Sequence, residues 1–162
     1  MKSSHRHWLF GMFLLVLTPT LFAAMSGSEP PPVKPGDTDY AAGVAAFESE
    51  DWERVIEHMI KAIERRPWND NAYNLAGFAY RKLGDYDRSL EHYHKALELN
   101  PHNRGALEYL GEAYLELGQP TQADNTLTRL AEECKRVVET LTDCHEWQDL
   151  KTAVDGYRKA AQ

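Results

Sequence analysis

"AGFAYRKLGDYDRSLEHYHKALELNP", residues 76–101, sets small residues at Gly77, Gly84 and Ala96 among aromatics at Tyr80, Tyr86 and Tyr93, and closes on Pro101. The same residue types return 34 positions away on either side. Gly43, Gly77 and Gly111 keep that interval, as do Tyr80 and Tyr114, Gly84 and Gly118, Ala62 and Ala96, and Pro67 and Pro101. The short segments EDW, GDY and GQP at 50–52, 84–86 and 118–120 follow it too. Self-similarity at one fixed period marks a repeat architecture, in which a unit buries its apolar face only by stacking on a neighbour.

With units starting at Gly36, Asp70 and Arg104, the chain resembles the tetratricopeptide repeat family. That family's 34-residue unit carries a small residue at position 8, an aromatic at 11, a small one at 20, an aromatic or apolar one at 24, alanine at 27 and proline at 32. The middle unit supplies Gly77, Tyr80, Ser89, Tyr93, Ala96 and Pro101. The first supplies Gly43, Ala46, Val55, Met59, Ala62 and Pro67. The third supplies Gly111, Tyr114, Ala123 and Leu127, then departs with Leu130 and Lys135 where alanine and proline belong. The resemblance covers roughly residues 36–135. It implies an all-α fold, a right-handed solenoid of three helix pairs at approximately 36–69, 70–103 and 104–137, and it implies almost nothing about reaction chemistry.

Within such a unit the residue choices have physical reasons. Gly77 carries no side chain to hold the two helices apart, and Tyr80 and Tyr93 fill the wider space beside that contact. Asp51 and Asp85 precede the second helices and accept from their free amides. Pro120 suits a first turn, where no amide partner is lost. Pro67 and Pro101 restrict the residue before them and stop a helix.

The two ends differ from the middle. Lys2 and Arg6, the apolar run WLFGMFLLVL at 8–17, Pro19 and the small pair Ala23 and Ala24 read as a secretory signal peptide over 1–24, which predicts a periplasmic protein. The alternative is a retained leader that anchors the chain in the inner membrane. Residues 25–36, with four prolines, read as a semi-stiff linker. At the other end, 138–162 reads as a capping helix with Trp147, Leu150, Val154 and Tyr157 on one stripe and an Asp143–Glu146 capping box at its start. Cys134 and Cys144 cannot bond along one unbroken helix, so a turn near 140–143 must bring the second back beside the first. In an oxidising compartment a disulfide that pins the cap is expected. The ending CHEWQDLK at 144–151 resembles that of small exported bacterial tetratricopeptide proteins. The rival reading is a thiol-redox or metal site built from Cys134, Cys144 and His145.

Function follows from surface rather than from a catalytic motif. Lys plus Arg total 18 against 25 Asp plus Glu, a balance that argues against nucleic acid as a partner. There is no Ser-His-Asp order, no phosphate-cradling glycine loop and no metal-hydrolase motif, so the chain reads as non-catalytic, without cofactor or metal. His58, His92, His94 and His102 read as solvated helix faces. The resemblance implies a concave groove lined by the first helices. Carried over, it places Asp37, Tyr40, Val44, Phe47 and Glu48 from the first unit there, and Asn71, Asn74, Phe78, Arg81 and Lys82 from the second. The third adds Gly105, Glu108, Glu112, Leu115 and Glu116. Tyr40, Val44, Phe47 and Phe78 make an apolar strip; Glu108, Glu112 and Glu116 make an acidic ladder. The basic clamp of some relatives is replaced by Tyr40, Val44, Leu75, Gly105 and Tyr109. The expected partner is a peptide or helix of another envelope protein, and a membrane is involved only if the leader is retained.

Overall fold

The computed structural model describes residues 37–161, so the signal segment and linker expected over 1–36 lie outside the described residues. Seven α-helices follow in order: α1 Thr38–Glu48, α2 Trp52–Arg65, α3 Asp70–Lys82, α4 Tyr86–Leu99, α5 Arg104–Glu116, α6 Pro120–Lys135 and α7 His145–Ala160. No strand occurs among the described residues. Helices α1 and α2, α3 and α4, and α5 and α6 pair closely, each pair packs on the next, and α7 lies against both α5 and α6.

Five of the seven helices begin on a side chain that accepts a hydrogen bond from a free amide of the first turn. Asp37 accepts from the Tyr40 amide at 3.0 Å, Asp51 from Arg54 at 3.2 Å, Asn69 from Ala72 at 3.3 Å, Asp85 from Arg88 at 3.1 Å and Asn103 from Ala106 at 2.9 Å. The sixth, α6, starts with Pro120 in its first turn and has no side-chain cap. The turn within each pair repeats as well. Glu50, Gly84 and Gly118, one unit length apart, all have positive φ, of 55°, 79° and 69°. Only the first is not glycine. A left-handed residue with a Cβ costs about 1–2 kcal/mol, while a glycine loses about 0.5–1 kcal/mol in folding entropy. Glu50→Gly is therefore expected to raise stability by about 0.5–1 kcal/mol, seen as a Tm gain of roughly 2–4 °C in a thermal melt.

The core runs through all the units. Val55, Met59, Ala62 and Leu75 are buried in the first part of the stack, and Tyr93, Ala96, Leu107, Leu130, Leu150 and Val154 in the second. A Cβ on Gly43 would collide with the Met59 side chain of α2, and one on Gly77 would lie 2.8 Å from the Tyr93 ring of α4. These two glycines admit the second helix of their own unit. Gly111 differs: its nearest neighbour is Leu150 of α7, whose Cδ2 would lie 2.5 Å from an added Cβ. The cap thus takes the close approach on α5, because it lies directly along that helix.

The junction before α7 corrects the expected capping box. Asp143 ends a 3₁₀ turn, Leu141–Asp143, and its carboxylate accepts from the Thr140 hydroxyl at 2.7 Å. The N-cap of α7 is Cys144, which contributes no side-chain cap, and Glu146 pairs instead with Arg104 at 3.3 Å. The cap residue is spent on a bond elsewhere: Cys144 forms a disulfide with Cys134 in the last turn of α6, with Cα atoms 5.9 Å apart. At the far end of α7, Arg158 donates to both carboxylate oxygens of Asp124 on α6 at 2.8 Å.

Candidate functional site

The first helices α1, α3 and α5 stand side by side, and their shared face carries a chain of aromatic contacts. Phe47 of α1 lies 4.9 Å from Phe78 of α3, and Phe78 lies 4.6 Å from Tyr109 of α5, between ring centroids. Trp52, the first residue of α2, closes the group at 5.6 Å from Phe47 and 5.5 Å from Phe78. Phe47, Phe78, Trp52 and Val44 are half-buried, so one side of this strip faces outward. Edge and tilted arrangements of this kind add to the area they bury.

Two adjacent cations on α3 have different roles. The Arg81 side chain is only 7% exposed and its guanidinium sits 2.7 Å from Glu112 and 2.7 Å from Glu116, both on α5. It also lies over the rings of Phe78 and Tyr109 at 5.0 and 5.9 Å. Burial opposes its charge, but the Tyr93 hydroxyl, Glu112 and Glu116 outweigh burial and hold it more firmly protonated than usual. Burial in turn pushes the Glu112 carboxyl up, against the pull of Arg81. Arg81 is thus a staple between the second and third units, and two rungs of the acidic ladder are occupied in holding it. Lys82 is exposed, with its ammonium 5.8 Å above Trp52 and 5.9 Å above Phe78. It stands over the aromatic strip as a cation directed to solvent.

The remaining residues read as groove positions divide by depth. Tyr40, Asn74, Glu108 and Leu115 are buried, as is the cap Asp37. Asn71 accepts from the Asn103 amide group at 3.1 Å and joins a belt in which Asn100 and Asn103 both donate to Asp70 at 2.8 Å. Gly105 leaves room for Asn74, whose amide nitrogen would be 3.2 Å from a Cβ there. Glu48 and Glu116 are exposed. The outward side of this face therefore consists of Val44, Phe47, Trp52, Phe78 and Lys82, with the exposed carboxylates Glu48 and Glu116 on helices α1 and α5. Two further aromatics complete the strip. Trp52, which the sequence places in the EDW turn signal, comes directly after a tight turn that brings it back beside the first helix, and Tyr109, read from the sequence only as a replacement in the basic clamp, joins through Phe78.

Cys134 and Cys144, the two sulfurs of the rival thiol or metal reading, are joined to one another in a buried disulfide. Among the described residues no helix is long and apolar enough to cross a membrane.

A family model for the tetratricopeptide repeat matches residues 71–103, and a second of the same description matches 106–134. No curated protein sequence matches the chain. Among solved structures, the TPR2B domain of yeast Sti1 in a complex with pHsp70 superposes with a TM-score of 0.66 at 19% identity, over 73% of this chain and 94% of that one. The Yersinia enterocolitica type III secretion chaperone SycD, in complex with a peptide of the translocator YopD, gives 0.65 at 11% identity, over 76% and 92%. The first TPR of Spaghetti (RPAP3), bound to the HSP90 peptide SRMEEVD, gives 0.61 at 17%, over 73% and 89%. At these identities the likeness is one of fold.

Proposed function

This chain belongs to the tetratricopeptide repeat family, and we propose that it is a non-catalytic scaffold that holds a peptide or helix of another cell-envelope protein on the concave face of its first helices. The observation that carries this reading is the outward-facing aromatic strip Phe47–Trp52–Phe78 with Lys82 above it. Half-buried aromatics give apolar area at low entropic cost, and a rigid strip across two units matches the spacing of apolar anchors along a bound segment. The three structural relatives were each solved with a peptide or protein partner, which supports the same use of this fold. The envelope setting rests on the leader sequence at 1–24, and the acidic balance of the chain speaks against nucleic acid.

A photoreactive amino acid placed at Val44 tests the surface. It is expected to crosslink one partner from envelope extract, and the same label at Glu91, exposed on α4, is not. Lys82→Glu should weaken the Val44 crosslink roughly tenfold without altering the melting curve, because an exposed cation contributes little to folding and more to a charged partner. Equal capture from Glu91 would move the binding surface to the outer helices. N-terminal sequencing of the exported product tests the compartment: an intact leader would make the chain an anchored scaffold instead.

A further inference from the structure

At the N-terminal ends of α1 and α3, the opposite end of these helices from Phe47 and Phe78, lies a cleft of about 180 Å³ whose walls include Asp37, Tyr40, Arg66, Trp68, Asp70 and Asn71. Trp68 is the most exposed large apolar residue among the described ones, at 71%. The Asp37 side chain is 2% exposed. Its Oδ1 accepts from the Tyr40 amide at 3.0 Å, while its Oδ2 has no hydrogen bond. The nearest cation, Arg66, stands 3.7 Å from that oxygen, beyond hydrogen-bonding distance, and is itself 32% exposed. Two carboxylates and one guanidinium leave the walls net negative. Burial, then Asp70 and Asp37, raise the Tyr40 hydroxyl pKa, as a negative interior requires. The feature is peculiar to the first unit. One period on, Asn71 stands for Asp37, Asn100 for Arg66 and His102 for Trp68.

We propose that this cleft is a subsite for one arginine side chain of the bound partner segment, a step that rests on the groove reading above. A planar guanidinium stacks on an exposed indole and presents paired donors to carboxylates, whereas an ammonium does neither as well. It would displace Arg66 from the mouth, donate to Asp37 Oδ2 and lie against Trp68. Asp70 supplies charge rather than a free acceptor on Oδ2, which already takes Asn100 and Asn103 at 2.8 Å. An anion is disfavoured by both carboxylates. The acidic ladder of α5 is a poorer place for the cation, since Arg81 already holds Glu112 and Glu116 there.

The test follows the Trp68 indole N–H by NMR while the full chain is titrated with N-acetyl-arginine amide, and with the neutral isostere N-acetyl-citrulline amide. Trp68→Phe assigns the signal. A saturable shift with a Kd on the order of 1–10 mM is expected for arginine, and at least tenfold weaker binding for citrulline. Asp37→Asn keeps a capping side chain but loses the charge, and should weaken arginine roughly tenfold with little change in melting temperature. Arg66→Ala removes the competing cation and should tighten binding by roughly three- to tenfold. An equal response to citrulline, or no loss in Asp37→Asn, overturns the proposal. A crosslink at Val44 without an arginine response overturns the cleft alone; saturation by arginine without a Val44 crosslink upholds the cleft and overturns the groove alone.

Discussion

Gly77→Leu is expected to lower the unfolding free energy by about 3 kcal/mol or more, a loss at the upper end for overpacking of a well-filled core. The position leaves no room for a branched side chain. A Cβ there would already lie 2.8 Å from two atoms of the Tyr93 ring and 3.2 Å from the Ser89 carbonyl oxygen. Tyr93 is fully buried, and it touches Tyr109 of the next unit at 6.4 Å between centroids, so moving it disturbs the second and third units together. Four added carbons force α3 and α4 apart rather than pushing a flexible chain end aside. Gly77→Ala should cost less, about 1 kcal/mol, because a small shift of one ring relieves it. At Gly84 the order of causes reverses. Nothing lies within 4 Å of an added Cβ, yet φ is +79°, so alanine there costs about 1 kcal/mol through the backbone alone. Calorimetric melts should therefore rank Gly77→Leu well below both alanine variants. A Gly77→Leu protein melting with the wild type would show that α3 and α4 do not meet at this residue.

The contrast between those two glycines explains how much of the molecule is legible in sequence. Features fixed by the chain's own local geometry recur with the period: the left-handed turn residue at 50, 84 and 118, the caps Asp51 and Asp85, and the close approach at Gly43 and Gly77. Each favours a particular residue type, so most leave a mark every 34 residues; Glu50, left-handed without being glycine, is the exception. Contacts between units leave no such mark. Arg81 and Lys82 are neighbours in sequence and both occupy groove positions by period, yet one is held by two carboxylates of α5 and the other stands in solvent. That difference depends on which side chains the next unit happens to present, and Glu112 and Glu116 have no counterparts one period earlier, where Phe78 and Lys82 stand. The buried Asp37 and the exposed Trp68 escape the period for the same reason, since they belong to the first unit alone. At the other end the repeat simply stops. The cap enters one residue later than the Asp143–Glu146 pattern suggests, because the disulfide fixes Cys144 at the start of α7.

That fixed entry makes α7 part of the core, and Leu150→Ala is expected to cost about 3–4 kcal/mol, within the range for emptying a buried leucine site. Leu150 is fully buried, and its Cδ2 and Cδ1 would lie 2.5 and 2.6 Å from a Cβ on Gly111. Gly111→Ala alone should then destabilise by about 1–2 kcal/mol, since a branched side chain locked on both sides cannot turn away. In the Leu150→Ala background the same alanine has no opponent. It places a methyl group in the vacated space and removes a helix-interior glycine, which is worth up to about 1 kcal/mol by propensity. The double variant should therefore be more stable than Leu150→Ala by about 1 kcal/mol, and the double-mutant cycle should give a coupling of roughly 2–3 kcal/mol. A coupling near zero in denaturant melts of the oxidised protein would mean that α7 does not rest on Gly111. The solenoid's end would then be closed by the disulfide and the Arg158–Asp124 and Arg104–Glu146 pairs, with the α5 face around Gly111 left open.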